Sequence, residues 1–127
     1  MKKKLSFVLV LALMLTCFFA GCGNKDDKEN LTFTTGGTAG TYYAFGNVLA
    51  QYITNNTDVA VTAVAGNGSQ ANLELMDVGD AQLGFVQNDV ASYAYNGTNI
   101  FAEAEPITSF SAVAALYTET VQIVTCD

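Results

Sequence analysis

The sequence predicts an α/β fold in which a mainly parallel sheet is flanked by helices. Short runs of alternating apolar residues are each followed by a segment with helical periodicity, and this strand-then-helix unit occurs three times in succession. A polar or glycine-rich turn joins each strand to its helix. Units of this kind place helices against the faces of the sheet and bring the three turns together at one edge.

The first 21 residues predict a secretory signal. In "MKKKLSFVLVLALMLTCFFAGC" lysines precede an apolar run, and small residues precede Cys22. The "FFAGC" end resembles a bacterial lipobox, in which cleavage leaves the cysteine thiol to be acylated. The alternative is a transmembrane anchor, but the apolar run over 5–20 is shorter than the ~20 residues that a span needs. Residues 22–30 are polar and charged and predict a flexible tether, which leaves 31–127 as the folded lobe.

The strands and helices of this lobe follow from the apolar spacing. Ser69 is a plausible N-cap and Gly79 a plausible C′ residue of the second helix, and Asn88 or Asp89 lies near the start of the third. We expect strands at residues 31–35, 58–64 and 81–86, and helices at 42–53, 69–79 and 88–95.

Two further strands are predicted after the single proline, Pro106. "FSAVAALY" (110–117) and "VQIVTC" (121–126) are short apolar runs, and Cys126 in the second is expected to be a buried structural thiol rather than a nucleophile. Because no helix follows the last strand, we expect the sequence to be the front part of a longer fold.

The charge distribution excludes several functions. The chain has 127 residues and a net charge of -7, and from Glu29 onward it contains no Lys, Arg or His. Nucleic-acid binding is excluded because phosphates are neutralised by basic side chains. A metal site with nitrogen or sulfur ligands is not expected, since His and a cysteine pair are both missing, and no cofactor is predicted.

The three turns predict a ligand site. Ligands of open α/β sheets bind beyond the carboxyl ends of the strands, and here residues 36–41, 65–72 and 87–89 each lead into a helix N-terminus, which favours an anion. Without a cation nearby, the ligand would be held by backbone N–H groups and hydroxyls, which suits a small carboxylate better than a polyphosphate. The hydroxyls are those of Thr38, Thr41, Tyr42 and Ser69.

Each candidate also has a purely structural alternative. The glycines could only make tight connections, Tyr42 could only pack, and Ser69 could only cap a helix. Asn72 is a solvated residue in the alternative interpretation, and Asp89 could cap its helix or accept from a ligand ammonium group. An enzyme is disfavoured, because a Ser or Thr nucleophile would have only carboxylates as its base.

Three segments resemble the TAXI family, the TRAP-associated extracytoplasmic immunogenic solute-binding proteins. They are "TTGGTAGTYYAFGNVLAQYI", "AVAGNGSQANLELMDVGDAQLGFVQND" and "AALYTETVQIV", and the resemblance covers residues 31–124. It implies a type II periplasmic-binding-protein fold, in which two lobes close on glutamate or another small carboxylate. The second lobe is absent from this sequence, so the chain is expected to be truncated.

The resemblance also implies ligand-binding residues and partners, since such a protein delivers solute to the membrane subunits of a TRAP transporter driven by an ion gradient. The predicted lipoprotein signal would anchor it to the outer face of the cell membrane, and a monomer is the default expectation for a binding lobe. The alternatives are a surface antigen, a sensor module without transport, or a fragment that binds nothing. The implied ligand-binding residues are Gly37, Thr38, Gly40, Thr41, Tyr42, Ser69, Asn72, Gln87 and Asp89.

Overall fold

The structure is a computed structural model that describes residues 28–120 and 123–125. The predicted signal, the predicted lipid attachment at Cys22, residues 22–27 of the predicted tether and the Cys126 thiol lie outside the described residues, so those predictions stand as they were made. The tether prediction was wrong at residues 29 and 30, which belong to the first strand.

Three parallel strands alternate with three helices, which confirms the predicted α/β fold class. The central strand β1 pairs with β2 on one side and β3 on the other, and Phe33 of β1 lies opposite Ala63 and Leu83. A 3₁₀ helix at Asn99–Phe101 follows the last unit. The elements are β1 (Glu29–Thr34), α1 (Thr41–Asn56), β2 (Val59–Val64), α2 (Ser69–Asp77), β3 (Leu83–Gly84) and α3 (Asn88–Asn96).

Strand β3 is two residues long, whereas six were predicted over 81–86. The Thr32 N–H of β1 donates to the side-chain oxygen of Gln82 at 2.9 Å instead of to a backbone carbonyl. The backbone of Gln82 still donates to Thr32 O at 3.0 Å. The Gln82 side chain therefore accepts a hydrogen bond that a backbone carbonyl would accept in a regular strand, and the regular part of β3 begins only at Leu83.

The prediction of a strand at residues 110–117 was wrong. These residues have no strand structure, and neither do 123–125, the described part of the last predicted strand. A strand needs a hydrogen-bonded neighbour, but the sheet in the described part of the chain consists of β2, β1 and β3 alone. The apolar side chains of the segment are consequently exposed, with Val113 87 % and Ile123 90 % accessible.

The apolar residues form two clusters, one between the sheet and α1 and the other among α2, α3 and the 3₁₀ helix. Alternate residues of a strand point to opposite faces, so Phe33 packs toward α1 while Thr34 faces α2. The first cluster is Phe33, Ala50, Val61 and Phe85; the second is Leu73, Ala94, Phe101 and Ile107, beneath α2 and α3.

The C-terminal ends of α1 and α2 each have a specific termination signal. Gly79 is the C′ residue of α2, as predicted: its φ is 83°, its N–H donates to Met76 O at 3.1 Å, and Asp80 N donates to Leu75 O at 2.9 Å. This pair of bonds is the Schellman motif. At the end of α1, Lys28 Nζ donates to the carbonyls of Thr54 and Thr57, both at 2.8 Å, and its charge complements the negative end of the helix dipole.

The side chain of Asn72 joins α2 to the sheet. It is fully buried, at 0 % exposure, so the alternative of a solvated residue was wrong. Its Nδ2 donates to Thr35 O at 2.8 Å and Phe85 O at 2.7 Å, and its Oδ1 accepts from Thr34 Oγ1 at 2.8 Å. The packing around it is tight, because a Cβ on Gly66 would lie 2.7 Å from Asn72 Oδ1.

Replacing Asn72 by leucine should destabilise the lobe by about 3 kcal/mol. Asn72→Leu keeps the approximate volume but leaves three buried polar partners without a bond, and each buried unpaired group costs about 1–3 kcal/mol. Urea unfolding followed by circular dichroism measures the change. Asn47→Leu is the matched control: Asn47 is exposed and donates only to Tyr43 O, so a change within about 0.5 kcal/mol is expected. Equal effects of the two variants would contradict the role of Asn72.

Candidate functional site

A cleft lies beyond the carboxyl ends of the three strands, where the topology predicts a ligand site. Its volume is about 330 Å³, and several of its lining residues are exposed, so that it opens to solvent. All three strand-to-helix loops contribute, together with the segment that follows the last helix. The lining residues are Gly36, Gly40, Thr41, Tyr42, Gly68, Ser69, Gln87 and Glu119.

The structure brings five of the nine predicted site residues together in this cleft. These are Gly40, Thr41, Tyr42, Ser69 and Gln87. Their contact with a ligand stays a prediction.

The other four predicted residues lie around the cleft rather than in its lining. Gly37 and Thr38 are exposed in the turn before α1, and Asn72 is buried beneath the cleft with its amide bonded to protein atoms. Asp89 is exposed in the first turn of α3, where its Oδ1 accepts the Val90 N–H at 2.9 Å. Asp89 therefore satisfies one N–H group of its helix.

Three lining residues were not predicted: Gly36, Gly68 and Glu119. Gly36 and Gly68 belong to loops that the sequence did identify. Glu119 belongs to the segment after Pro106, 30 residues beyond the third loop. The quoted stretch "AALYTETVQIV" contains it, but no local pattern distinguishes this carboxylate from the other acids of the chain.

Each of the three helices begins at the cleft without a side-chain cap. The N-cap residues are Gly40, Gly68 and Gln87, and none of them makes a side-chain capping hydrogen bond. In α1 the first helical bond runs from Ala44 N to Gly40 O, so the N–H groups before Ala44 have no acceptor inside the helix. Unpaired N–H groups and the positive ends of the dipoles favour negative charge here.

The prediction that Ser69 is an N-cap was wrong, because Gly68 takes that position. Gly68 has a φ of 89° and a ψ of -169°, a backbone conformation open essentially to glycine alone. Ser69 is the first helical residue and 9 % exposed, and its Oγ accepts the Gln87 N–H at 2.9 Å. Its hydroxyl thus connects the start of α2 to the loop before α3.

Tyr42 packs against the apolar core and also lines the cleft. Its ring stacks on Phe85, with centroids 4.9 Å apart, and the residue also lines the cleft. Burial raises the pKa of the phenol above the ordinary value of 10.0; a hydrogen bond with Ser69 opposes this, and the negative charge of Glu119 adds to it. Tyr42 is therefore a neutral hydroxyl, and it hydrogen-bonds to the Glu119 carboxylate.

Tyr117 lies beside Tyr42, with ring centroids 6.4 Å apart. Burial and then the charge of Glu119 raise its pKa as well. Both tyrosines have a pKa above 10.0 in the folded state, so the unfolded chain loses its phenolic protons at lower pH than the folded chain does. The contribution of the two protonated phenols to the free energy of unfolding is therefore fully present below the unfolded-state pKa, and it is lost as the pH rises through the folded-state pKa values.

Glu119 places a negative charge in the cleft. Gln87 Nε2 donates to its Oε2, which fixes the carboxylate against the loop before α3. Lys28 is bonded at the end of α1, at the edge of the sheet opposite the cleft, and no basic residue follows it in the sequence. The cleft lining thus combines hydroxyls, helix N-termini and one carboxylate.

Residues 28–120 and 123–125 contain no group of three His, Cys, Asp or Glu side chains that could hold a metal ion. Within the same residues, no helix has the length and apolar character needed to cross a membrane.

Residues 33–127 match the sequence model of the NMT1-like family. The chain belongs to the NMT1-like family. The match includes every residue that lines the cleft. NMT1-like proteins form a periplasmic solute-binding family, a family of binding proteins rather than enzymes, and such proteins typically work outside the cytoplasm. The α/β lobe with its cleft at the carboxyl edge agrees with this fold type.

Neutralising Glu119 should lower the pKa of both neighbouring tyrosines. In Glu119→Gln the negative charge that disfavours each phenolate is removed, while burial is retained. Titration of ¹³Cζ-labelled tyrosine by NMR should show two midpoints at lower pH than in the wild type. Glu103→Gln, which neutralises an exposed carboxylate outside the cleft lining, should leave them in place. Unchanged midpoints in Glu119→Gln would contradict the described placement of Glu119.

Proposed function

We propose that this NMT1-like protein is a lipid-anchored, extracytoplasmic solute-binding subunit of a TRAP-type transporter, and that it captures a small carboxylate such as glutamate or a related organic acid. The observation that carries the proposal is the cleft where three helices begin without side-chain caps. Membership of a solute-binding family supports a ligand at this position.

The chemistry of the cleft supports a small carboxylate. Backbone N–H groups at the starts of α1 and α2 supply donors, and the hydroxyls of Thr41, Tyr42 and Ser69 lie in the same lining. A polyphosphate would require cationic side chains, which the lining does not contain. The volume of about 330 Å³ is at the small end of ligand sites.

The transport role rests on the TAXI resemblance of the three loop segments. In that role the described lobe is the amino-terminal wall of a two-lobed protein, and a second lobe supplies the other wall and the closing motion. The proposed partners are the membrane subunits of the transporter and, through acylated Cys22, the lipid bilayer. A monomer is proposed for the binding subunit.

Removing the Ser69 hydroxyl should weaken ligand binding by about tenfold or more. Ser69→Ala deletes a donor in the cleft and the acceptor of the Gln87 N–H, and one lost polar contact of this kind corresponds to about a factor of ten. Native mass spectrometry of a soluble form that begins at residue 22 and carries Cys22→Ser should reveal a co-purifying small carboxylate, and calorimetry then measures its affinity.

Ser111→Ala is the control for this experiment, because Ser111 is exposed and outside the cleft lining. The Ser111→Ala variant should bind the carboxylate with the same affinity as the soluble Cys22→Ser form. If no carboxylate co-purifies and none from a panel of mono- and dicarboxylates binds, the proposed function is wrong.

Replacing Cys22 should abolish membrane attachment in a bacterial host. The full chain should fractionate with membranes and show the mass of a diacylated mature protein, whereas Cys22→Ser lacks the thiol that carries the lipid. Cys17→Ser is the matched control, since Cys17 lies inside the predicted signal and should leave with it. A lipid adduct that persists in Cys22→Ser would contradict the proposed anchor.

A further inference from the structure

We propose that Glu119 is a specificity-determining residue of the cleft, which selects carboxylates that also carry a positively charged group, such as an α-ammonium, over ligands whose only charges are negative. This proposal rests on the proposed function and names the ligand class of the same site. It differs from the sequence-based expectation for Asp89, because Asp89 is absent from the cleft lining whereas Glu119 belongs to it.

Glu119 is exposed, and its carboxylate is hydrogen-bonded at the edge of the cleft. Its carboxylate accepts from Gln87 Nε2, and the backbone N–H of Gln87 donates to Ser69 Oγ at 2.9 Å. These bonds connect the starts of α2 and α3 to the segment that carries Glu119. A ligand in the cleft therefore meets a carboxylate at a defined position.

The charge of Glu119 is not neutralised by the residues around it. Gln87 is a neutral amide, and the two phenols that hydrogen-bond to Glu119, those of Tyr42 and Tyr117, carry no positive charge either. Within the described part of the chain the sole basic residue, Lys28, is bonded at the opposite edge of the sheet. A cationic group on the ligand would supply the missing partner.

The cleft thus offers two unlike electrostatic environments to one ligand. The helix N-termini favour a carboxylate, and Glu119 favours an ammonium group. A ligand with only carboxylates brings a like charge near Glu119, and this repulsion disfavours its binding in a cleft that opens to solvent. We expect the ammonium to change affinity by about tenfold or more.

Calorimetry with matched ligand pairs tests this proposal on the soluble Cys22→Ser form. The members of each pair differ by one α-ammonium group: glycine and acetate, L-alanine and propionate, L-leucine and 4-methylpentanoate, L-glutamate and glutarate. In pairs that bind, the amino acid should bind about tenfold tighter or more. Glu119→Gln should reduce the ratio of the amino acid's affinity to that of its carboxylate partner at least about fivefold. Glu119→Asp keeps the negative charge and should preserve the preference for the amino acid.

Glu103→Gln is the control and should leave the ratio at the parent value, because Glu103 is exposed outside the cleft lining. Circular dichroism confirms that each variant is folded. Three results would overturn the proposal while the proposed function stands: any of the four simple carboxylates binding as tightly as its amino acid, a ratio of affinities that is unchanged in Glu119→Gln, or Glu119→Asp behaving like Glu119→Gln. If neither member of any pair binds and no carboxylate co-purifies, both proposals are wrong.

Discussion

The buried amide of Asn72 is the interaction on which the arrangement of the cleft depends. Its three hydrogen bonds fix the start of α2 against the ends of β1 and β3, the places where two of the cleft loops begin. The contacts are close enough that Gly66 has no room for a Cβ. The Asn72 amide donates to two backbone carbonyls at the ends of β1 and β3, where the short sheet provides no other partner. These hydrogen bonds hold the cleft loops in one position relative to each other.

A site without cationic side chains follows from this geometry. Parallel strands bring three helix N-termini to one edge, so the backbone provides the positive potential that Arg or Lys supplies elsewhere. Backbone donors cannot change their charge with pH, and Tyr42 stays protonated because burial and Glu119 raise its pKa. The donors of the cleft therefore keep their protonation across the neutral range.

Local features of this fold could be predicted from sequence, and features that depend on distant contacts could not. The three strand-helix units and the Gly79 terminus are encoded by periodicity and turn residues within a few positions. The length of β3 depends on the side chain of Gln82, and the segment over 110–117 has strand-like composition without a described neighbour. Ser69 and Asn72 were recognised as important, but their roles required knowing which loops they meet. Glu119 was missed because only the tertiary fold brings it to Gln87.

The position of Lys28 limits how the lobe can be placed relative to a membrane. The residue is bonded at the end of α1, so the chain joins the lobe at the edge opposite the cleft. With a lipid on Cys22, six residues of extended chain reach at most about 20 Å. With the proposed lipid on Cys22, the lobe would stay close to the bilayer, attached by the edge that lies opposite its cleft. A membrane partner would then reach the cleft only after the lobe had rotated about this attachment.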